Sequence, residues 1–464
     1  RMRHYLRNTA LFLGAFNAII ILYVMFAFFS KPSYTYYPAH YKALARLAND
    51  SEVAGRANPR GEKVFIAASI VDKNGELLGG QWGTSMVELV DLLGPNNVYL
   101  SVYENGADPR AVGAMRNLSE SVQCSSSFVA DNLTYDQIRH IELPNGESRV
   151  KRIEYLAEVR NRALRPLEQS TPARRAKRNG RRSADSTDVA LFESHHGTPA
   201  YLTTFDRVLF LNDIYFSPVE ATQLLFATNS NDPARNFPRA RYRAACAVDF
   251  INPFKFYDTF ASRDLDGYSM GLPFFPWFSR EGSHTSRDDA QAQSDAVRVR
   301  SCWGGMAAYE AYWFQDQDRP LRFRAEPGPY WDASECCLVN ADLANLPQPP
   351  EPELVLDAVW NVSNPGIFMN PFVRVAYDAG AFHWERIARR PEQIYAPVHA
   401  LLGWLLELPG YNPRRRDVRE GGFCGARRIL LINERPEVGE SRWQRTVVPE
   451  PVEATATATP GAGV

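Results

Sequence analysis

The chain has 464 residues, 45% of them hydrophobic, enough to bury at least one large core. Its 52 lysines and arginines nearly cancel 53 aspartates and glutamates, and the formal charge of -1 argues against a protein that coats nucleic acid. It contains no P-loop, H-E-x-x-H, G-x-S-x-G or G-x-G-x-x-G, and its eight histidines are scattered, which argues against a histidine metal cluster or a serine hydrolase.

From the N-terminus, Ala10 to Phe29 carries no charge and, at about 1.5 Å per residue, can cross a bilayer core of about 30 Å. Arg1, Arg3 and Arg7 precede it, so residues 1–9 are expected to be cytoplasmic, 10–29 a transmembrane signal anchor, and the rest lumenal. A cleaved signal peptide fits less well, because the apolar run is too long. Sequons at Asn49, Asn117, Asn132 and Asn361 agree with a lumenal setting, as do six cysteines without paired metal-ligand spacing. Cys246, inside an apolar strand, reads as a buried thiol. Residues 30–62 read as a stem.

The folded domain is expected over 63–440, where short apolar runs alternate with helical segments. The strands are KVFIAASIVD, NVYLSVYE, SFVAD, RVLFL and RAACAVDF; helices fall between them, including a long one from Arg149 to Leu167. This pattern predicts an α/β fold with a mixed, mainly parallel sheet. Polar insertions near 168–190, with the dibasic run RRAKR, and near 279–296 read as disordered, as does the tail at 441–464.

In FLNDIYFSPVEATQLL, Ser217 suits a helix N-cap, Pro218 the first helical position and Glu220 a capping box. Asp213 is left free at the end of an apolar strand, the edge where open α/β sheets bind ligands. It is read either as a turn carboxylate or as the ligand of a divalent cation that offsets a diphosphate. Arg160 lies on the apolar stripe of its helix, so it and Asn161 are candidates to meet an anion. FYDTFASRDLDGYS gathers Asp258, Arg263, Asp264 and Asp266, and SCWGGMAAYEA joins Trp303 to Gly304 and Gly305. Aromatic faces and carboxylates suit a hydroxyl-rich sugar, although Trp303 equally fits core packing and the glycines a close strand. Glu335 needs a partner, either in a salt bridge or in catalysis.

These stretches, with VFIAASIVDKNGELL, VYLSVYENGADP, IEYLAEVRNRALRPL and SECCLVNADL, resemble in this order the fungal capsule-associated α-1,3-mannosyltransferases, glycosyltransferase family 69. The resemblance implies a GT-A-like fold and a single-pass type II Golgi membrane enzyme. It implies transfer of mannose from GDP-mannose to a mannose-containing glycan with Mn2+ or Mg2+. LNDIYF then stands where GT-A enzymes carry D-x-D, with Asp213 present as metal ligand and Tyr215 in place of the second acid. Nucleotide-sugar contacts are expected from Glu104, Arg160, Asn161, Asn212 and Asp213, and acceptor or sugar contacts from Arg263, Asp264, Trp303, Gly304 and Gly305. Retention of configuration suggests front-face displacement, with a covalent route through Glu335 or Asp266 as the lesser possibility. Rival readings are a UDP-xylose or UDP-glucose donor, or a non-catalytic lumenal glycan-binding protein.

Overall fold

The structure is a computed structural model that describes residues 2–30, 32–143, 145–168, 190–194, 199–230, 239–316, 318–328, 330–347, 360–361, 363–409, 422–434 and 441–448. The expected insertion at 168–190 falls almost wholly outside these residues, as do RRAKR, His195 and His196.

Two helices, α1 (Met2–Ser30) and α2 (Ala39–Asp50), come first. Then follow β1 (Val64–Ile70), α3 (Gln81–Leu93), β2 (Val98–Asn105), α4 (Pro109–Ser121) and β3 (Ser125–Asp131). A hairpin of β4 (His140–Glu142) and β5 (Ser148–Val150) leads into α5 (Arg152–Ala163), so the long helix expected from Arg149 is shorter and begins after a strand. Next come β6 (Ala190–Ser194), β7 (Arg207–Leu211), α6 (Pro218–Phe226), β8 (Ala244–Asn252), β9 (Lys255–Phe256) and β10 (Arg263–Asp264). The chain continues through α7 (His284–Gln291), β11 (Val297–Ser301), β12 (Met306–Glu310), α8 (Tyr312–Gln315), β13 (Trp331–Ala333) and α9 (Glu335–Asn345). It ends with β14 (Ile367–Ala376), α10 (Ala379–Ala388), α11 (Tyr395–Leu405), β15 (Gly425–Arg427), β16 (Ile429–Ile432) and β17 (Trp443–Thr446).

One sheet runs β10-β11-β14-β8-β12-β7-β1-β2-β3-β6, with β9 beside β8. β14, β8, β7, β1, β2 and β3 point the same way, and β12 is reversed between β7 and β8. This is the mixed, mostly parallel α/β sheet that the alternating runs predict. β1 is apolar and buried from Val64 to Ala68 because both of its faces are covered. Val64, Ile66 and Ala68 pack in a core with α3, α4 and α6, while Phe65 and Ala67 join α5 and α9 on the other side. The carboxyl ends of six parallel strands and the start of β12 therefore share one edge.

Three expectations about the flanks are corrected. Residues 33–62 are not a free stem. Tyr34 and Tyr41 are fully buried, Tyr34 meets Phe372 edge-on at 4.9 Å, and Gln223 of α6 donates to the Tyr41 carbonyl. The segment 279–296 is ordered as α7, since its polar side chains bond inward. Ser286 accepts from the Leu265 N–H and donates to the Arg298 carbonyl, and Arg287 donates to the Phe278 carbonyl at 2.6 Å. Within the expected tail, β17 pairs antiparallel with β16.

Cys246 is not a thiol: it is joined to Cys302, because β8 lies beside the turn that enters β12, and a second bond links Cys337 to Cys424. Cys124 and Cys336 are free and buried. α1 carries one apolar stretch, Arg7–Ser30, with the length and composition of a membrane span or a signal sequence.

Candidate active site

β7 ends at Leu211 and delivers Asn212 and Asp213 to the shared edge. Ser217 caps α6 by accepting from the Glu220 N–H, and Pro218 opens the helix. The Glu220 carboxylate instead accepts from the Arg374 N–H, so the expected capping box is half made. Asn212 is pinned on three sides: its N–H donates to the Gly305 carbonyl, its carbonyl accepts from the Trp82 indole at 2.9 Å, and its Oδ1 accepts from Arg160 at 3.0 Å. Asp213 is exposed. Desolvation by the surrounding protein raises its carboxyl above its ordinary value, against the opposing effect of Arg160. Because solvent reaches the group, screening leaves that shift little energetic weight. Tyr215, where a second acid was sought, forms a backbone bridge with Ala376 at the end of β14, and its ring lies against Phe382.

Arg160 holds the centre. Its Nε donates to Glu335 at 3.0 Å, with both side chains largely buried, and its guanidinium lies 4.6 Å over the Trp303 ring. The two readings of Glu335 thus resolve toward an ion pair, one that carries a buried cation to the β7 edge. Trp303 is core, packed with Phe210 and Phe323. Gly304 and Gly305 both have positive φ, and a Cβ on Gly304 would lie 2.0 Å from the Ala247 carbonyl oxygen. Gly304 therefore serves close contact with β8 rather than a sugar, whereas Gly305 faces Ile214 and the Tyr377 hydroxyl.

Several expected contacts lie elsewhere. Asn161 exchanges two hydrogen bonds with the Phe323 backbone, which occupies its amide and corrects its assignment to the nucleotide. Arg263 and Asp264 sit on β10, the far edge strand, five places from β7. Arg263 donates to the Phe423 and Cys424 carbonyls, and Asp264 accepts from the N–H groups of Asp266, Tyr268 and Ser283. Asp266 is exposed in that turn. Arg263 and Asp264 are committed to backbone groups at the far edge of the sheet, which corrects their reading as sugar contacts, and Asp266 shares that distant turn.

Glu104, at the end of β2, is buried, and its Oε1 accepts from the Asp72 N–H at 2.8 Å. Its Oε2 has no protein partner, and burial pushes the carboxyl up to about 7. It lines a cleft of about 660 Å³ along the ends of β1, β2 and β3, with Asp72, Lys73, Asn132, Tyr135 and Arg442. All four sequon asparagines, Asn49, Asn117, Asn132 and Asn361, are exposed.

The structure adds Asp249 and Tyr377 and gives Asp258 a place. Asp249, at the end of β8, is fully buried, with Oδ1 accepting from the Asp258 N–H at 3.0 Å and Oδ2 from the Tyr377 hydroxyl at 3.1 Å. Burial, aided by the Asp258 charge, pushes Asp249 up to about 8, and burial also raises Asp258. The Tyr377 hydroxyl lies beside Gly305, at 3.3 Å from where a Cβ would be, and its ring packs on the half-exposed Tyr257 at 4.6 Å. An acid ending an apolar strand was the signal at Asp213; the same signal in CAVDF marks Asp249. Among the described residues no group of three or more His, Cys, Asp or Glu could hold a metal ion unaided.

The mixed sheet, with a charged cleft and acids at its carboxyl edge, places the protein in the open-sheet α/β class, in which ligands bind outside that edge. A family model described as cryptococcal mannosyltransferase 1 matches residues 63–342, and the chain belongs to that family. Membership supports mannosyl transfer as its class of activity. No curated protein matches the chain. Among solved structures it is similar to the mannosyltransferase PcManGT from Pyrobaculum calidifontis in complex with GDP-Man and Mn2+, at 13% identity and a TM-score of 0.33, covering 80% of this chain and 72% of that one.

Proposed function

We propose that the protein transfers mannose from GDP-mannose to a mannose-containing glycan, forming an α-1,3 linkage with retention, on the lumenal side of the Golgi membrane with α1 as its type II anchor. The observation that carries this reading is the shared edge. Asp213 stands there at the end of β7, next to β1, and the cleft beginning at β1 holds the half-satisfied Glu104. In this reading Glu104 accepts a hydroxyl or amine of the nucleoside, and Lys73 and Arg442 contribute positive charge along the cleft.

The donor set fits a divalent ion only in company with a nucleotide: Mn2+ or Mg2+ is commonly held by one or two carboxylates with phosphate oxygens and water completing the shell. Asp213 is the residue that would hold it, and its chemistry would be to offset the charge of the leaving diphosphate. The Arg160–Glu335 pair fixes Asn212 and so orients the backbone that presents Asp213. In the transfer, the bond from the mannose anomeric carbon to the diphosphate breaks as the acceptor oxygen bonds on the same face, and the acceptor proton passes to the departing phosphate. Tyr257 and Tyr377 offer aromatic faces for the acceptor ring.

The test uses the full chain with GDP-mannose and mannobiose, with and without Mn2+, and a thermal-shift panel that includes GDP-mannose, UDP-xylose and UDP-glucose. Transfer and stabilisation by GDP-mannose are expected. Stabilisation by a uridine nucleotide sugar alone would overturn the donor, and glycan binding without any nucleotide binding would overturn the enzyme reading.

A further inference from the structure

Residues 395–406, YAPVHALLGWLL, contain no Asp, Glu, Lys or Arg. One side of α11 is fixed inward by His399 and Gly403, both buried. The other side is open: Val398, Leu401, Trp404, Leu405 and the following Leu406 are 49–68% exposed. On the preceding helix α10, Trp384 and Ile387 are exposed as well. At about 1.5 Å per residue this apolar segment is too short to span a bilayer. Trp and Leu on the open face of a half-buried helix suit the boundary between headgroups and acyl chains.

The neighbouring structure ties this face to the end of α1. The Arg390 guanidinium, between α10 and α11, lies 4.9 Å over the ring of Phe28 near the end of α1. Just beyond α1, the Ser33 N–H donates to the Arg390 carbonyl at 3.0 Å and the Ser33 hydroxyl to Glu392 at 2.7 Å. Glu392 is itself locked to the buried Arg374 of β14. The end of the apolar stretch Arg7–Ser30 is thus tied to the junction from which α10 and α11 extend.

We propose that the open face of α10 and α11 is a lipid-docking surface, seated in the bilayer leaflet that α1 leaves. This rests on the reading of α1 as a membrane span. The apolar side chains enter the acyl boundary, while Arg386 on α10, half-exposed, pairs with Glu220 of the domain at 3.9 Å. The catalytic domain is then held flat on the membrane at a fixed orientation.

The test uses the full chain in phosphatidylcholine–phosphatidylserine nanodiscs, with an environment-sensitive fluorophore at one introduced cysteine: Phe16→Cys in α1, Leu401→Cys in α11, or Glu120→Cys on α4. The native free thiols are buried, so the introduced cysteine is the one labelled. Doxyl lipid is expected to abolish emission at positions 16 and 401 while iodide does not, with the reverse at 120. Quenching by doxyl lipid at 16 and by iodide at 401 would overturn the docking surface alone. Protection of 401 from both quenchers would show that protein covers it, a second copy or another segment of the chain, and would also overturn the proposal. Absence of lipid quenching at 16 would overturn the span and the docking surface together.

Discussion

Two acidic groups stand at distant positions of the same sheet. At β10, Asp264 and Asp266 lie within three residues of sequence, and the buried Asp264 accepts from two backbone N–H groups of its own turn and from that of Ser283 at the start of α7. At the ends of β7 and β8, Asp213 and Asp249 come from separate strands: Arg160, paired with Glu335, holds Asn212 beside Asp213, while Asp249 accepts from the Tyr377 hydroxyl and from the Asp258 N–H. Burial raises Asp264 to about 7 and Asp249 to about 8, so a raised carboxyl alone does not separate the two groups. What separates them is the partner: backbone N–H groups alone hold Asp264, whereas the β7 and β8 ends also draw in the side chains of Arg160, Glu335 and Tyr377 from distant elements. Convergence from distant sequence marks a candidate site better than local density of charge.

The largest effect expected is on turnover. Asp213→Asn should lower mannosyl transfer by on the order of 100-fold with an unchanged melting temperature, whereas Asp266→Asn should leave the rate as it is; equal rates would place both acids outside the chemistry. Next, Arg160→Ala leaves the buried Glu335 without its cation and should cost about 3–5 kcal/mol in urea unfolding, as breaking a buried pair does. Asp264→Ala strands three N–H groups at the other cluster and should cost about 1–3 kcal/mol, with transfer per folded molecule unchanged.

A further effect is a slope against pH. Asp249 in the folded chain titrates near 8 against an ordinary 3.8, so the folded state holds that proton more tightly. Its stabilisation is complete below pH 3.8 and is lost as pH rises through about 8. Melting temperature should therefore fall over that range, and Asp249→Asn should flatten the fall. An unchanged slope would show that the carboxyl ionises freely.

Much of the sheet was legible because parallel strands covered on both faces read as unbroken apolar runs, as in VFIAASI and RVLFL. The position of Asp213 was legible for the same reason: an acid after such a run must lie at the edge. The role of Arg160 was half legible, since a cation on an apolar stripe demands a partner, yet only folding brings Glu335 to it from 175 residues away. Asn161, beside it, looked equivalent but turns one step around α5 and binds the Phe323 backbone. The order in α7 was hidden because charge and small side chains signal solvent in a linear reading, and Ser286 and Arg287 bond inward instead.

The seating of Tyr34 and Tyr41 bears on how the protein can be cut. A protease that nicks the chain between 42 and 62 would leave a peptide held by buried aromatic contacts, so cleavage there would not separate the domain from α1. A secreted version built to begin at residue 63 would expose the groove around Phe372 and Trp277 that those tyrosines fill. One beginning at residue 32 would keep it closed.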